Sequence, residues 1–286
     1  MNGPVSRFYF ADRLRLHYVE WGREDKPTLL LVHGGRDHCR SWDWVAHALQ
    51  GDFHILAPDL RGHGDSAWSQ GGGYTLADVV ADLVQLLRQR AGRKVAILSH
   101  SYGGAASLFL AGLYPDLVDR LAVIEGTWPW QELAKQAPMA ERFRSWVSQV
   151  HELSTRGPRK YANLEEAVAR MRAENGFLSE EQAHHLTVHG LHQNEDGTFS
   201  WKFDNYTRTA FPFRISLEEL KELWAGIQCP TLLINGAKSW VQDPVQNGAA
   251  ALFTQGRTAM IQEAGHWPHH DRLDDFLAVV RPFLKG

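Results

Sequence analysis

The stretch KVAILSHSYGG, residues 94–104, decides the fold of this chain. It begins as an apolar run with β-branched residues, which predicts a buried strand, and it ends in polar residues and two glycines. In one interpretation, Gly103 and Gly104 end the strand and the serines cap the next helix. In the other, a strained strand-to-helix turn presents a serine hydroxyl as a nucleophile. The second interpretation requires catalytic partners elsewhere in the chain.

Short apolar runs alternate with helical patterns on both sides of this stretch. Strands are predicted at TLLLVHGG, FHILAPDL, KVAILSHS, RLAVIEG, PTLLING and TAMIQEA, and FYFADRLRLHYVEWG alternates like a hairpin at a sheet edge. Helices are predicted at 41–50, 75–91, 102–114, 216–227, 244–255 and 269–285. This alternation predicts an α/β fold with a mostly parallel, doubly wound sheet.

The alternation fails between Gly126 and about Ile215. That segment is helical in pattern, polar, and rich in tryptophan and histidine. We therefore predict a core domain formed by residues 1–126 and 216–286, with residues 127–215 inserted as a helical cap over the edge of the sheet.

Composition excludes several classes of function. The 286 residues carry a formal net charge of −3 without a basic stripe, so no nucleic-acid partner is expected. Residues 1–22 lack the charged region followed by an apolar region that a secretory signal has. No stretch approaches the ~20 apolar residues of a membrane span. Cys39 and Cys229 lack CxxC spacing, which argues against a disulfide framework or a zinc site. A cytoplasmic protein is expected.

Ligands of open parallel sheets bind where the strands end, and the predicted strand ends carry four motifs in order. They are HGG at 33–35, DLRGHGDS at 59–66, SHSYGG at 99–104 and AGHW at 264–267. Together these motifs resemble the α/β-hydrolase fold, in its serine-nucleophile, esterase-like branch. The resemblance covers nearly the whole chain, and only the insertion lies outside it.

The resemblance indicates which serine is the nucleophile. Ser101 occupies the nucleophile position of the family motif G-x-S-x-G, with Ser99 in place of the first glycine. A serine needs a base and a group that orients the base. His266, after the last strand, matches the family's order of serine, acid and histidine. His100 is adjacent to Ser101 in a sharp turn, so its side chain is expected to point away and pack behind it.

The resemblance also implies an oxyanion hole made of backbone N–H groups. These would come from Tyr102, which follows the nucleophile, and from Gly35, which follows His33 and Gly34. Asp59 and Arg61 are interpreted as residues that fix a loop near the site.

The acid departs from the family pattern. Many relatives have it after the strand PTLLING, at a position that is Ser239 here, and a serine cannot stabilise an imidazolium. Two carboxylates are available, Glu125 at the end of RLAVIEG and Asp243 in the same loop as Ser239. We favour Glu125, because some relatives place the acid after that strand and glutamate reaches further. Asp243 can alternatively cap the helix predicted at 244–255.

A serine nucleophile directs the chemistry to acyl transfer, because epoxide hydrolases and dehalogenases of this fold use an aspartate. Hydrolysis of a small carboxylic ester is the leading interpretation, without a cofactor. The same triad could cleave a carbon–carbon bond beside a carbonyl, open a lactone, or exchange acyl groups with peroxide. A protein that kept the pocket but lost catalysis is a further alternative.

Aromatic residues of the insertion suggest a lid with an apolar lining. Trp128, Trp130 and Phe211, together with Trp267 beside His266, are the predicted substrate contacts. Four histidines of the insertion invite a metal interpretation, since His185, His189 and His192 would share one helical face with His184 nearby. No metal is predicted, because hydrolysis needs none and no carboxylate completes the ligand set.

Overall fold

The computed structural model describes residues 3–71, 73–127 and 137–286. The strands within them are β1 (Val5–Ala11), β2 (Leu14–Trp21), β3 (Thr28–Val32), β4 (His54–Pro58), β5 (Val95–His100), β6 (Val118–Ile124), β7 (Leu191–Gln193), β8 (Phe199–Trp201), β9 (Thr231–Gly236) and β10 (Gly256–Ile261). Eight of them form one sheet in the order β1-β2-β4-β3-β5-β6-β9-β10. From β4 to β10 neighbouring strands are parallel, and β2 is antiparallel to both of its neighbours. The predicted doubly wound α/β sheet is confirmed.

Helices cover both faces of this sheet. They are Asp43–Leu49, Leu76–Arg90, Ser101–Leu113, Met139–Ser154, Leu164–Glu174, Glu180–Gly190, Leu217–Ala225, Pro268–Asp271 and Leu273–Lys285, with short 3-10 turns at Cys39–Trp42, Asn205–Arg208 and Ala249–Leu252. No helix within the described residues is both long and apolar enough to cross a bilayer.

Apolar burial on the two faces holds the layers together. On one face Leu83, Leu108 and Trp224 belong to a single buried cluster with side chains of β3 and β5. On the other face Leu49 and Phe276 pack against alternate side chains of the same strands. Central strands buried on both sides are continuously apolar, which is why the sequence predicted them so clearly.

The predicted hairpin at the sheet edge is present as β1 and β2. Asp12 and Arg13 connect the two strands with φ values of 43° and 64°, both in the left-handed region. Such a two-residue connection matches the right-handed twist of the paired strands.

The helix predicted at 244–255 is wrong. Residues 244–247 form a turn, and a short 3-10 turn at Ala249–Leu252 follows. Gly248 between them has a φ of +84°, a left-handed conformation that interrupts a right-handed helix.

The insertion is not entirely helical. The strands β7 and β8 pair as an antiparallel hairpin within it, closed by a turn in which Gly197 has a φ of +82°. The sequence interpretation missed this hairpin because its strands have three residues each. No described residue between 127 and 215 joins the eight-stranded sheet. The division into a core domain and a cap stays a prediction.

Candidate active site

The turn after β5 places Ser101 at the start of the helix Ser101–Leu113. Its φ is +49°, in a region that residues with a side chain seldom adopt. The helix also approaches β3 closely, since a Cβ on Gly103 would lie 2.3 Å from the carbonyl oxygen of His33. Glycine is therefore needed at 103, and the strained turn holds Ser101 where the strands end.

Ser101, His266 and Glu125 form a continuous series of hydrogen bonds. His266 Nε2 lies 3.1 Å from Ser101 Oγ, and His266 Nδ1 lies 2.5 Å from Glu125 Oε2. A carboxylate accepts hydrogen bonds, so Nδ1 carries the proton and Nε2 is free to accept from the serine hydroxyl. The structure thus brings together the predicted nucleophile, base and favoured acid.

Glu125 is held at the end of β6 by further donors. Its Oε1 accepts from the backbone N–H of Gly236 at 2.9 Å, and its Oε2 accepts from Ser239 Oγ at 2.7 Å. The residue is buried and has a φ of +50°. These donors and His266 compensate a charge that burial would otherwise penalise. Among the described side chains, no arginine forms an ion pair with Glu125.

Asp243, the alternative acid, is used differently. Its Oδ1 accepts a hydrogen bond from the backbone N–H of Val245 at 2.9 Å, which stabilises a turn. Within the described part of the chain, no hydrogen bond or ion pair joins Asp243 to His266.

The loop after β3 is shaped by His33. The backbone N–H of Leu60 donates to His33 Nε2 at 2.9 Å, so Nδ1 carries the proton and donates to the carbonyl oxygen of Gly34 at 2.7 Å. Burial lowers the pKa of His33 to about 3, which keeps the ring neutral, as this pattern requires. A Cβ on Gly35 would meet the Cβ of Tyr102 at 3.7 Å, so the two residues predicted to supply the oxyanion donors lie next to each other. Tyr102 lies in the first helical turn, where N–H groups lack partners within the helix.

His100 lies behind the nucleophile, as predicted. Its Nε2–H donates to the backbone carbonyl oxygen of His266 at 2.9 Å, and the two rings lie 4.7 Å apart. Burial moves the pKa of His100 well below its ordinary value. A neutral His100 therefore fixes the loop that carries His266, a role that the sequence interpretation did not foresee.

A cavity of about 310 Å³ lies beside this site, between the sheet and the described part of the insertion. Its apolar lining includes Met171, Leu178, Leu186, Trp201, Phe203 and Trp267. The ring of Trp267 also contacts that of His266 at 4.9 Å. The cavity is of the size that holds a small ligand.

Of the other three predicted substrate contacts, the structure describes only Phe211. Trp128 and Trp130 lie outside the described residues. Phe211 is 42% exposed and packs against Trp146 and Phe213 in an aromatic cluster that does not line the cavity.

The loop after β9 contributes an aromatic residue that the sequence interpretation missed. Trp240 is 77% exposed, yet its ring lies 4.8 Å from that of His266. Its position next to Ser239, in the loop where the family pattern changes, was the available signal.

Asp59 and Arg61 fix loops, as interpreted from the sequence. Asp59 accepts from the backbone N–H groups of Cys39 and Asp65, at 2.7 Å and 2.9 Å. Arg61 forms a bidentate ion pair with Asp82, with nitrogen–oxygen distances of 2.6 Å and 2.7 Å. These bonds tie the loop after β4 to its neighbours.

A second serine–histidine–aspartate series lies at the β1 edge of the sheet, away from the central strands that carry Ser101 and Glu125. Ser6 Oγ is 2.8 Å from His17 Nε2, and His17 Nδ1 is 2.7 Å from Asp59 Oδ2. Ser6 lies within the edge strand β1 instead of at a strand end, and it does not line the cavity. It provides a control for experiments on Ser101.

The histidines of the insertion are arranged differently from the sequence expectation. The helix ends at Gly190, so His192 lies in β7 and does not share a face with His185 and His189. A carboxylate is present after all, because His185 Nε2 lies 3.1 Å from Asp43 Oδ2. Arg40 already pairs with Asp43 at 2.7 Å and contacts His189 at 3.3 Å, which places a positive charge in this cluster.

Comparisons with known proteins match most of the chain. A model of the alpha/beta hydrolase family matches residues 29–279. An esterase of Mycobacterium tuberculosis is 26% identical over 286 residues, covering 99% of this chain and 91% of the esterase. Epoxide hydrolase 4 of Mus musculus is 26% identical over 287 residues, 95% of this chain and 77% of that protein. The structure of a thioesterase domain from the curacin biosynthetic pathway has a TM-score of 0.85 at 22% identity, covering 98% of this chain and 100% of that domain.

Proposed function

The chain belongs to the alpha/beta hydrolase family, and we propose that it is a serine hydrolase that cleaves a carboxylic ester through Ser101, His266 and Glu125. The observation that carries the proposal is the series of hydrogen bonds from the serine through the histidine to the buried carboxylate. The reaction would need no cofactor. We place the enzyme in the cytoplasm, because Cys39 and Cys229 are free thiols.

The geometry supports a two-step mechanism. Ser101 Oγ attacks the ester carbonyl carbon while His266 Nε2 takes its proton, and Glu125 stabilises the imidazolium. The developing oxyanion accepts hydrogen bonds from the N–H groups of Gly35 and Tyr102. The imidazolium then protonates the leaving alcohol, and the acyl group remains on Ser101. A water molecule then attacks the acyl carbon while it gives a proton to His266. The bond to Ser101 Oγ breaks, His266 returns the proton to Oγ, and the carboxylic acid leaves.

Two observations favour ester hydrolysis over epoxide opening. Position 101 is a serine, whose oxygen attacks acyl carbon once a histidine removes its proton, whereas epoxide opening in this fold uses a carboxylate. The relative named an esterase aligns along nearly all of the chain. The alternative of a binding protein without catalysis drew on Ser239, and it loses support because the buried carboxylate of Glu125 lies within hydrogen-bond distance of His266.

Labelling with a fluorophosphonate, which reacts with activated serines, tests this proposal. The wild-type protein should be labelled, Ser101→Ala should not, and Ser6→Ala should be labelled as wild type. Turnover of p-nitrophenyl butyrate should fall by roughly 10⁶-fold in Ser101→Ala and in His266→Ala, and the double variant should be scarcely worse, because the residues act as one unit.

Circular dichroism would establish that each variant is folded. A folded wild-type protein that is neither labelled nor able to hydrolyse the ester would contradict the proposal. Labelling that persists in Ser101→Ala but disappears in Ser6→Ala would identify Ser6, in the edge strand β1, as the nucleophile.

A further inference from the structure

Two arginines stand beside the proposed oxyanion hole. Arg36 and Arg208 line the cavity of about 310 Å³, and both also line a neighbouring cavity of about 170 Å³. Gly35 borders both cavities, and Tyr102 borders the smaller one. The two arginines therefore lie where the cavities meet, next to the backbone groups that would bind the reacting carbonyl oxygen.

The charge of this region is not balanced by the protein. Four arginines line the larger cavity, Arg36, Arg159, Arg170 and Arg208, against the carboxylates Asp37 and Glu174. Arg170 is paired with Glu174 at 2.7 Å. Within the described residues, Arg36 and Arg208 form no ion pair. The chain as a whole carries a net charge of −3, so this positive excess is local.

Arg36 and Arg208 bring two positive charges to the lining of the same cavities, and because both residues are solvent-exposed, water screens part of the repulsion between them. Desolvation by the surrounding residues lowers the pKa of Arg208, and the positive charge of Arg36 lowers it further. Arg36 also has a φ of +62°, which costs free energy for a residue with a side chain. An anion between the two guanidinium groups would remove the repulsion, and guanidinium forks suit carboxylate and phosphate oxygens.

We propose that the ester cleaved at Ser101 carries a second, ionised acid group, a carboxylate or a phosphate, which Arg36 and Arg208 bind. This inference rests on the proposed ester hydrolysis, because it defines the substrate of the same site. The acid group would anchor one end of the substrate in the cavity, and the ester carbonyl would then reach Gly35 and Tyr102.

Three ethyl esters of matched chain length test the inference. They are ethyl pentanoate, which is neutral, monoethyl glutarate, which ends in a carboxylate, and ethyl 4-phosphonobutanoate, which ends in a phosphonate. The wild-type enzyme should have a higher kcat/KM for at least one anionic ester than for the neutral one, and the preferred ester identifies the acid group. Added salt should reduce this preference by screening the charges.

Three variants report on the arginines. Arg36→Gly removes the guanidinium and puts a residue suited to positive φ at that position. Arg36→Gly and Arg208→Gln should each lower the ratio of kcat/KM for the anionic over the neutral ester by roughly 10-fold to 100-fold, the loss of one charged hydrogen-bond partner. Arg172→Gln is the matched control, because Arg172 is an exposed arginine like Arg36 and Arg208 but does not line the cavity.

Binding to Ser101→Ala separates this inference from the proposed function. Calorimetry should show that this variant binds the preferred anionic ester more tightly than ethyl pentanoate, and that adding Arg208→Gln removes the difference. Hydrolysis of ethyl pentanoate by the wild type, without preference for either anionic ester, would overturn the inference and leave the esterase intact. Anion-dependent binding without hydrolysis of any ester would overturn the proposed function alone.

Discussion

The hydroxyl of Ser239 donates a hydrogen bond to Glu125 over 2.7 Å. The accepting atom, Oε2, is also the one that faces His266 Nδ1. By the resemblance to the family, position 239 is where many relatives carry the acid, so the loop after β9 here contacts the acid that we propose to come from β6. A second carboxylate at 239 would place two negative charges side by side, whereas a serine supplies a donor. Ser239 is therefore compatible with the proposal that Glu125 is the acid.

Replacing each candidate acid should identify the one that orients His266. Glu125→Gln keeps the shape of the side chain but loses the charge, and kcat should fall by about 10⁴-fold, as in the well-studied serine protease case. Asp243→Asn should leave kcat nearly unchanged and lower the free energy of unfolding by less than about 1 kcal/mol, since Asp243 accepts a single turn hydrogen bond from Val245. Steady-state kinetics and urea unfolding provide these values. An exchange of the two kinetic results would make Asp243 the acid.

A carboxylate introduced in the loop after β9 should restore part of the activity that the loss of the Glu125 charge removes. In the Glu125→Gln background, Ser239→Asp should raise kcat at least about tenfold, because a carboxylate returns to the side of His266. Ser239→Ala in the same background is the matched control and should give no increase. Equal gains from aspartate and alanine would show that position 239 acts on packing and not through charge.

The sequence predicted the sheet well because its strands have a strong physical signature. A run such as Thr28–Val32, with every residue buried, fits a parallel strand covered on both faces. The short hairpin β7–β8 and the broken segment around Gly248 escaped prediction, because three-residue strands and a single left-handed residue leave little pattern in a sequence.

The candidate site was predictable to the extent that it follows strand ends. Ser101 and His266 belong to motifs at such ends, and their order along the chain was enough to predict that they act together. The sequence favoured Glu125 over Asp243, and only the folded structure shows the hydrogen bond to His266 that distinguishes the two, since β6 lies between β5 and β9. Arg36 and Arg208 come from separate parts of the chain, and only the folded structure shows that they border the same cavities.

The cavity lining should control the acyl chain length that is accepted. Phe203 lines the cavity, whereas Phe211 packs outside it, so the two residues form a matched pair. Phe203→Ala should shift the preference toward longer chains, changing the ratio of kcat/KM for octanoyl over acetyl esters by about tenfold. Phe211→Ala should leave that ratio unchanged. If Phe211→Ala alone changed the ratio, the acyl group would bind against the aromatic cluster that contains Phe211, the substrate contact predicted from the sequence.

The folded protein should lose stability steeply in mild acid. Burial lowers the pKa of His33 and His270 to about 3 and moves those of His100 and His269 well below the ordinary value of 6.5. Below pH 6.5 the unfolded chain binds protons at these side chains and the folded chain does not. Their contribution to stability is therefore complete above pH 6.5 and is lost as the pH falls toward 3. Each such histidine should remove roughly 1 kcal/mol per pH unit from the free energy of unfolding.

His269 offers the sharpest test of this pH dependence. Its ring packs on Trp42 at 4.7 Å, and neither of its nitrogens has a hydrogen-bond partner within the described structure. His269→Leu removes the group that must stay neutral, so unfolding free energies measured in urea between pH 6.5 and 5 should depend less on pH, by roughly 1 kcal/mol per unit. His47→Gln, at an exposed position, is the control and should keep the wild-type slope. Equal slopes for His269→Leu and the wild type would mean that His269 gains a proton in the folded chain despite its burial.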